Sequence, residues 1–331
     1  MDQLASELVG GSGKRVFLLN PRGFCAGVVR AVDIVRIALE TYGPPIYVRK
    51  EIVHNQHVVE QLRNDGAIFV EEVSEAPDGA RLVFSAHGVS PAVRQEAKKR
   101  GVQVIDATCP LVTKVHLEAT RFANNGYTIV LIGHQDHDEV VGTRGEAPDA
   151  TVVVSTEADV EGLAIPDSNK VAYLTQTTLS LDETAGVIDR LRERFPHIEG
   201  PPASDICYAT QNRQTAVKEV APQCDLVLVI GSRNSSNSRR LVEVSENGGT
   251  PAYLIDDAGE VDPAWMEGVE RVAVTAGASA PDHLVQELIV ALKQFGFHDL
   301  ETVTVKEEDV HFALPPELQR AATKLTTIAG T

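Results

Sequence analysis

The stretch "DATCPLVTKVH", residues 106–116, places a cysteine where a predicted strand ends and a helix begins. Pro110 suits the first position of a helix, because its fixed φ is helical and its missing N–H is not needed there. Cys109 immediately precedes this proline. Cys25 and Cys207 are likewise followed by helical patterns, so Cys109 is one of a set of three.

The segments around these three cysteines form an internal triplication. After each helix comes a short apolar run that ends in a polar loop, 28 or 29 residues beyond the cysteine, and these loops hold His54, His137 and Ser235. A later strand of each unit ends in a loop of small residues, and these loops hold His87, Thr177 and Ser279. The cysteines are 84 and 98 residues apart (109 − 25 and 207 − 109). This period is the size of a domain.

Strands that alternate with helices predict parallel sheets covered by helices, which bind ligands beyond the carboxyl ends of the strands. We therefore expect an α/β fold with three similar domains and small parallel sheets, arranged as a pseudo-threefold trefoil around a central cluster. The predicted repeats are 25–109, 110–206 and 207–300. The strand within 14–24 is expected to join the third repeat. Residues 301–331 form a C-terminal tail that includes a candidate closing strand, "ETVTV".

Composition narrows the class of protein. The 331 residues carry a net charge of −17, which argues against nucleic acid or an anionic membrane as a partner. No apolar run approaches the roughly 18 residues of a membrane span, and the first residues lack the pattern of a secretory signal. We therefore expect a cytoplasmic protein. Four cysteines in such a chain indicate metal binding or catalysis rather than disulfides.

Three cysteines at helix N-termini are expected to have depressed pKa values, and three convergent thiolates need a cation. Structural zinc sites use four ligands, commonly in CxxC pairs, and this chain has no CxxC. An iron–sulfur cluster accepts widely spaced thiolates, and three cysteines on four irons leave one iron open. The alternative is three buried structural cysteines. Cys224 has no counterpart in the other units and is expected to pack as a small hydrophobe.

The loops offer imidazoles, hydroxyls and an amide, which are donors suited to an anion with many oxygens. Their members are His54, His87, His137, Thr177, Ser235, Asn237 and Ser279. Glu139 is the carboxylate in these loop motifs best placed for acid–base chemistry. The spacing His134-x-x-His137-x-Glu139 also permits a metal site, and this alternative stays open at the level of sequence.

Nine motifs occur in order between about residues 16 and 296 and together resemble the 4-hydroxy-3-methylbut-2-enyl diphosphate reductase family (IspH/LytB). They are "NPRGFCAGVVRAV", "VHN", "SAHGVSP", "DATCPLVTKVH", "GHQDHDEVVGT", "TQTTLS", "DICYATQNRQ", "GSRNSSNSRRL" and "GASAPD". The resemblance implies a trefoil around one [4Fe–4S] cluster per chain. It also implies the last reaction of the methylerythritol phosphate route to isoprenoids, a reductive dehydroxylation that yields isopentenyl and dimethylallyl diphosphate.

The resemblance also implies residue roles. The cluster would be held by Cys25, Cys109 and Cys207. The diphosphate would be surrounded by His54, His87, His137, Ser235, Ser236, Asn237 and Ser279. Thr177 and Glu139 would contact the substrate hydroxyl, and Glu139 would supply the proton, with His137 the next candidate for that role. A ferredoxin or flavodoxin is the electron donor that the resemblance implies.

Two rival functions remain at this stage. One is another three-cysteine [4Fe–4S] enzyme of the quinolinate-synthase type, which uses the open iron as a Lewis acid without moving electrons. The other is a cluster-based iron or redox sensor. A sensor would not need the histidine and hydroxyl set and would usually carry a nucleic-acid-binding element, which the acidity of the chain disfavours.

Overall fold

A computed structural model describes residues 13–319 and gives twelve strands and ten α-helices in that range. The strands are β1 (Arg15–Asn20), β2 (Ile46–Arg49), β3 (Ala67–Val70), β4 (Arg81–Phe84), β5 (Gln103–Asp106), β6 (Thr128–Ile132), β7 (Thr151–Val154), β8 (Val171–Thr175), β9 (Leu226–Ile230), β10 (Ala252–Ile255), β11 (Arg271–Ala276) and β12 (Asp299–Thr304). The helices are α1 (Ala26–Tyr42), α2 (Gln56–Asn64), α3 (Pro91–Lys99), α4 (Pro110–Asn124), α5 (Asp138–Glu146), α6 (Glu157–Glu161), α7 (Leu181–Arg194), α8 (Tyr208–Val220), α9 (Ser236–Asn247) and α10 (Asp282–Leu292).

The strands form three separate sheets, and every strand pairing in the described range is parallel. The sheet orders are β10-β9-β11-β1-β12, β3-β2-β4-β5 and β7-β6-β8. The α/β class with small parallel sheets, predicted from the triplication, is confirmed. The boundaries predicted between the repeats stay predictions.

The first and the last strand meet in the five-stranded sheet. β1 lies between β11 and β12, with Phe17 opposite Ala273 on one side and Glu301 on the other. The segment 301–304 of the predicted tail is therefore part of a strand. Residues 1–12, whose sequence lacks the pattern of a secretory signal, and residues 320–331, the end of the predicted tail, lie outside the described residues.

The helix after the first cysteine shows how sequence periodicity builds the core. Val28, Val32, Val35 and Leu39 recur at helical spacing, and all four are buried. They pack in one cluster with residues of β2 and β4, so this face of α1 covers the four-stranded sheet. The helix ends at Gly43, whose φ of 74° lies in the left-handed region that glycine adopts without steric cost.

The chain passes from one sheet to the next at each of the three cysteines. β1 belongs to the five-stranded sheet, whereas α1 packs on the four-stranded one. β5 belongs to the four-stranded sheet, and α4 packs on β6 and β8. Glu199 forms a bridge beside β8, and α8 packs on β1 and β9. The three cysteines are therefore junctions between neighbouring units.

Among residues 13–319, no helix combines the length and apolar character that crossing a bilayer would require.

β9 is an interior strand of the five-stranded sheet, so a cavity in it is expected to lower the stability of the fold. Leu228 is fully buried, and β9 pairs with β10 and β11. We expect Leu228→Ala to lower the free energy of unfolding by about 2–5 kcal/mol, because it removes buried methyl groups and leaves a void. Urea denaturation would measure this change. Val290→Ala, on the exposed side of α10, is the control and should change stability by less than about 0.5 kcal/mol. Similar losses for both variants would contradict this placement of the core.

Candidate active site

Loops from all three sheets meet at one central pocket. Of the site residues predicted from sequence, the pocket is lined by Cys25, Cys109, Cys207, His54, His87, His137, Glu139, Thr177, Ser236, Asn237 and Ser279. Ser235 does not line the pocket. It is fully buried behind the wall, where its hydroxyl accepts a hydrogen bond from Asn237 Nδ2 at 2.9 Å and lies 3.4 Å from Ser279 Oγ.

Each cysteine is the residue immediately before a helix, at the start of α1, α4 and α8. Each also donates its backbone N–H to a carbonyl that follows the neighbouring strand. These bonds join Cys25 to Ala278 O (3.2 Å), Cys109 to Ala86 O (3.0 Å) and Cys207 to Thr177 O (3.0 Å). The same bond therefore recurs three times and brings the three thiols to the same pocket.

The prediction of depressed thiol pKa values is wrong for two of the cysteines. Burial raises the pKa of Cys109 to about 12 and that of Cys207 to about 11, and the nearby Cys25 adds to both shifts by repulsion. Backbone N–H groups at the helix starts oppose these shifts, but the loss of hydration outweighs them. A cation beside these two sulfurs would favour their ionised form, because it replaces the lost hydration and cancels the repulsion.

The space around the thiols fits a group larger than one ion. A Cβ on Gly27 would lie 2.8 Å from Cys109 Sγ and 3.7 Å from Cys25 Sγ, so a glycine keeps this space free. Three residues of the described range, His54, His87 and Asp138, have potential metal-ligand atoms that all lie within 4.8 Å of one another. The three cysteine sulfurs do not meet this distance limit. The three sulfurs are therefore spaced more widely than a single ion requires. The donor set and spacing fit an iron–sulfur cluster.

Three histidines form the opposite side of the pocket. The rings of His54 and His87 stack with centroids 4.0 Å apart, and the ring of His137 meets them edge-on at 5.4 and 5.9 Å. Burial lowers the pKa of His137 to about 4 and that of His87 well below its usual value. His137 Nδ1 accepts a hydrogen bond from the backbone N–H of Glu139 at 3.2 Å. The proton of this neutral ring is therefore on Nε2, where it can be donated to a ligand.

The remaining polar wall comes from the loops before α9 and α10. Asn237 Oδ1 accepts from the backbone N–H of Ala278 at 2.6 Å, and Ser279 Oγ donates to the carbonyl of His54 at 3.0 Å. A Cβ on Gly277 would collide with Ser238 and lie 2.8 Å from Asn237 Oδ1, so this tight join requires glycine. The helices α2, α5 and α9 begin next to pocket residues, and helix N-termini favour anions.

Glu139 is the single carboxylate that lines the pocket in the described chain. It is 6% exposed. The backbone N–H of Thr177 donates to its Oε2 at 3.0 Å, and the Thr177 hydroxyl lies 2.8 and 3.0 Å from the two carboxylate oxygens. Burial raises its pKa, and the bonds from Thr177 oppose this shift. A carboxyl group with a raised pKa retains its proton to higher pH than a surface glutamate does.

The alternative metal site built on His134 does not form. His134 Nε2 lies 2.7 Å from Arg240 Nη2, and His134 does not line the pocket. His137 and Glu139 do line it, but each is engaged by another partner, as described above. The i, i+3, i+5 spacing of these three residues therefore does not bring their side chains together.

Comparison with known proteins identifies the family. The family model described as LytB protein matches residues 16–293. The chain belongs to the LytB family. A 4-hydroxy-3-methylbut-2-enyl diphosphate reductase from Rhodococcus jostii is 59% identical, over 94% of this chain and 93% of the relative. The reductase of the same name from Mycolicibacterium paratuberculosis is 57% identical over 96% of each chain.

Solved structures of LytB-type reductases share the fold. The structure of the E-1-hydroxy-2-methyl-but-2-enyl-4-diphosphate reductase from Plasmodium falciparum matches with a TM-score of 0.92 and 42% identity, covering 95% of this chain and 99% of that one. A second structure is described as the terminal enzyme of the non-mevalonate pathway. It matches with a TM-score of 0.60 and 32% identity, covering 85% and 99% of the two chains. The family and fold predicted from the motifs are confirmed.

Sequence reasoning missed several pocket residues of this LytB-family chain. Thr210 lies three residues after Cys207, and its hydroxyl and backbone N–H lie 3.1 and 3.4 Å from the Cys207 sulfur. This offset is that of a helix cap, so capping rules could have found it. Thr178 and the apolar lining residues Val53 and Ala278 carry no comparable signal.

The low pKa of His137 predicts how the stability of this LytB-family chain depends on pH. Between pH 6.5 and about 4 the unfolded chain binds a proton on this residue and the folded chain does not. The contribution of His137 is therefore complete above pH 6.5 and is lost as the pH falls toward 4. We expect His137→Asn to remove part of this loss, measured by urea denaturation of metal-free protein across this range. The exposed His197→Asn is the control. A His137→Asn profile identical to that of the control would contradict this assignment.

Proposed function

We propose that the central pocket performs the reductive dehydroxylation of 4-hydroxy-3-methylbut-2-enyl diphosphate. Two electrons and two protons enter, the C–O bond of the allylic hydroxyl breaks, and water leaves together with isopentenyl or dimethylallyl diphosphate. The observation that carries the proposal is that three thiols, three histidines and one buried glutamate share one pocket in a LytB-family chain. The quinolinate-synthase type of activity is not favoured, because the matched relatives are named reductases of the allylic diphosphate.

Cys25, Cys109 and Cys207 would hold one [4Fe–4S] cluster per chain, with one iron not held by cysteine. Such a cluster supplies single electrons and an open iron that acts as a Lewis acid. The convergence of the three thiols on one pocket and the space beside Gly27 support a cluster at this position. Cys224 is buried in the core of the five-stranded sheet and is left out of the ligand set.

The diphosphate would lie against the histidines and the hydroxyl and amide wall. Within residues 13–319 the pocket lining contains neither lysine nor arginine, although the ligand carries several negative charges. The proposed donors are His54, His87, His137, Ser236, Asn237 and Ser279, and Ser235 holds Asn237 from behind. The net charge of −17 repels such a ligand, so oriented N–H and O–H groups and helix N-termini must provide the attraction locally.

Glu139 would donate the proton that converts the leaving hydroxyl into water. Its burial raises its pKa and favours the protonated form. Thr177 would orient both the carboxyl group and the substrate oxygen, since its hydroxyl lies against Glu139 and it also lines the pocket. His137 stands two residues before Glu139 and would be the next donor in line.

The electrons would come from a ferredoxin or a flavodoxin in the cytoplasm. This part of the proposal rests on the family resemblance and on the low potential that the reaction demands. The reaction would be the last step of the methylerythritol phosphate route.

The ligand set predicts different effects for two cysteines. We expect Cys109→Ser to abolish or cripple cluster binding and Cys224→Ser to leave it intact, because Cys109 lines the pocket and Cys224 does not. Iron and sulfide in protein purified without oxygen measure this outcome, and each should approach roughly four per wild-type chain. Loss of the cluster from Cys224→Ser, with retention of the cluster by Cys109→Ser, would contradict the proposed ligand set.

The donor set predicts how the diphosphate is gripped. We expect His54→Ala and Asn237→Ala to weaken substrate binding by roughly 1.5–3 kcal/mol each, the range for a hydrogen bond to a charged partner. Calorimetry on protein that retains its cluster would measure the affinity, and the monophosphate analogue should bind poorly. Equal affinity for the unphosphorylated alcohol would rule out this mode of binding.

The position of Glu139 predicts a specific loss of turnover. Glu139→Gln keeps the shape and hydrogen-bonding capacity but has no carboxyl proton to donate. We expect it to keep the cluster and bind substrate while turnover falls by roughly 10²–10⁴-fold. Thr177→Val should cost less, because it removes an orienting hydroxyl and leaves the proton. Anaerobic assays with a low-potential reductant would measure both. Near-normal turnover by Glu139→Gln would transfer the donor role to His137.

A further inference from the structure

Each helix that begins at a pocket cysteine carries a basic residue one to two turns later. Arg30 lies five residues after Cys25, and Lys114 lies five after Cys109. Arg213 lies six residues after Cys207. These three cations do not line the pocket. Each of them instead reaches the chain segment that leads to another of the three cysteines.

Arg30 connects the first helix to the second cysteine. Its Nη1 donates to the carbonyl of Thr108, the residue before Cys109, at 3.0 Å. Its Nε donates to the carbonyl of Ala313 at 2.8 Å, which also ties down the segment after β12. Burial lowers the pKa of Arg30, and the nearby Asp106 and Cys109 oppose that shift. The guanidinium is therefore bonded to the residue directly before Cys109.

Lys114 connects α4, the helix that begins after Cys109, to the segment before Cys207. Its Nζ donates to the carbonyls of Ala203 and Ser204 at 2.7 and 3.3 Å, and to Asp205 Oδ1 at 2.9 Å. The Asp205 side chain is fully buried, and its other oxygen accepts from the backbone N–H of Thr175 at 3.1 Å. This contact fixes the turn that ends two residues later in Cys207.

Arg213 connects α8, the helix that begins after Cys207, to the segment before Cys25. It is 1% exposed, and its Nε and Nη2 donate to the carbonyl of Gly23 at 3.2 and 2.8 Å. Gly23 lies two residues before Cys25. Glu308, from the segment after β12, pairs with Arg213 Nη1 at 3.0 Å. The helix after Cys25 therefore contacts the segment before Cys109, the helix after Cys109 contacts the segment before Cys207, and the helix after Cys207 contacts the segment before Cys25.

We propose that Arg30, Lys114 and Arg213 form a cation ring that fixes the spacing of the three cysteines, and that Arg30 also offsets the negative charge of the cluster they hold. The inference rests on the proposed cluster. Asp205 and Glu308 already compensate the charges of Lys114 and Arg213. Arg30 instead bonds to backbone carbonyls, and a partly buried cation so placed is costly unless an anion compensates it. A trio of thiolates is such an anion, and groups behind metal ligands tune both affinity and potential. The three are positioning residues, because they act through the cysteines and do not touch the substrate.

The test uses protein purified with its cluster under anaerobic conditions. Lys114→Met and Arg30→Met remove one cation each and keep much of the aliphatic stem. Arg121→Met on α4 and Arg36→Met on α1 are matched controls, since their side chains bond to Glu118 and Gln61 within the same unit. Arg213 is avoided as a test site because of its complete burial. The measurements are the rate of iron loss to a chelator and the reduction potential of the cluster.

We expect the two ring variants to lose iron about 10–100-fold faster than wild type, the usual effect of removing a group behind a metal ligand. The cluster of Arg30→Met should also be harder to reduce, because a compensating cation is missing, and Arg30→Lys should restore most of the potential. The double variant Lys114→Met/Asp205→Asn removes the carboxylate that Lys114→Met leaves unpaired. It should lose iron as fast as Lys114→Met, because the contact that holds the turn before Cys207 is still missing.

Iron loss equal to that of Arg121→Met and Arg36→Met, or a wild-type potential in Arg30→Met, would overturn the proposal. So would wild-type iron retention in the double variant, because the single variant's effect would then come from the stranded Asp205. Absence of a cluster from wild-type protein would instead refute the proposed function. In that case thermal unfolding of the metal-free chain decides the spacing role. A lower melting temperature for Lys114→Met than for Arg121→Met supports it, and equal temperatures overturn it.

Discussion

Three cysteines that are 84 and 98 residues apart must reach one pocket, and this constraint organises the molecule. The solution is one backbone hydrogen bond used three times, in which the N–H of each cysteine donates to a carbonyl just beyond the neighbouring strand. The helix that follows then packs on the sheet of the next unit. A junction of this kind places each sulfur at a helix start and at the carboxyl edge of a sheet, where parallel α/β folds bind their ligands. The histidine, threonine and serine loops end at the same edge because they follow strands of these same sheets.

Electrostatics separates the pocket from the rest of the chain. The protein is strongly acidic, yet the pocket is suited to an anion and, among residues 13–319, has neither lysine nor arginine in its lining. Burial keeps His87 and His137 neutral, so they can donate hydrogen bonds without adding fixed charge. The same burial raises the pKa of Glu139. Desolvation thus lowers the pKa of the imidazoles and raises that of the carboxyl group, and both shifts are in the direction that the proposed chemistry needs.

The positive charges lie behind the cysteines instead. Arg30, Lys114 and Arg213 bond to backbone carbonyls of the adjoining unit, so the contacts that join the units also surround the proposed cluster. Two of these cations also bond to the segment after β12. The sequence analysis predicted that segment as part of the C-terminal tail and gave it no role. Its bonds to Arg30 and Arg213 make it part of the support for the thiols.

The sequence by itself determined the α/β class, the family and most of the polar residues that line the pocket. These follow from local signals, namely helical periodicity after each cysteine and polar residues at the ends of apolar runs. Only the tertiary structure decided the protonation of the site. Helix position alone predicted acidic thiols, whereas burial and mutual repulsion raise the pKa of Cys109 and Cys207. It also turned His134 toward Arg240, placed Ser235 behind the pocket wall and revealed the cation ring. Each of these depends on contacts between residues far apart in the chain, for which spacing along one sequence gives no signal.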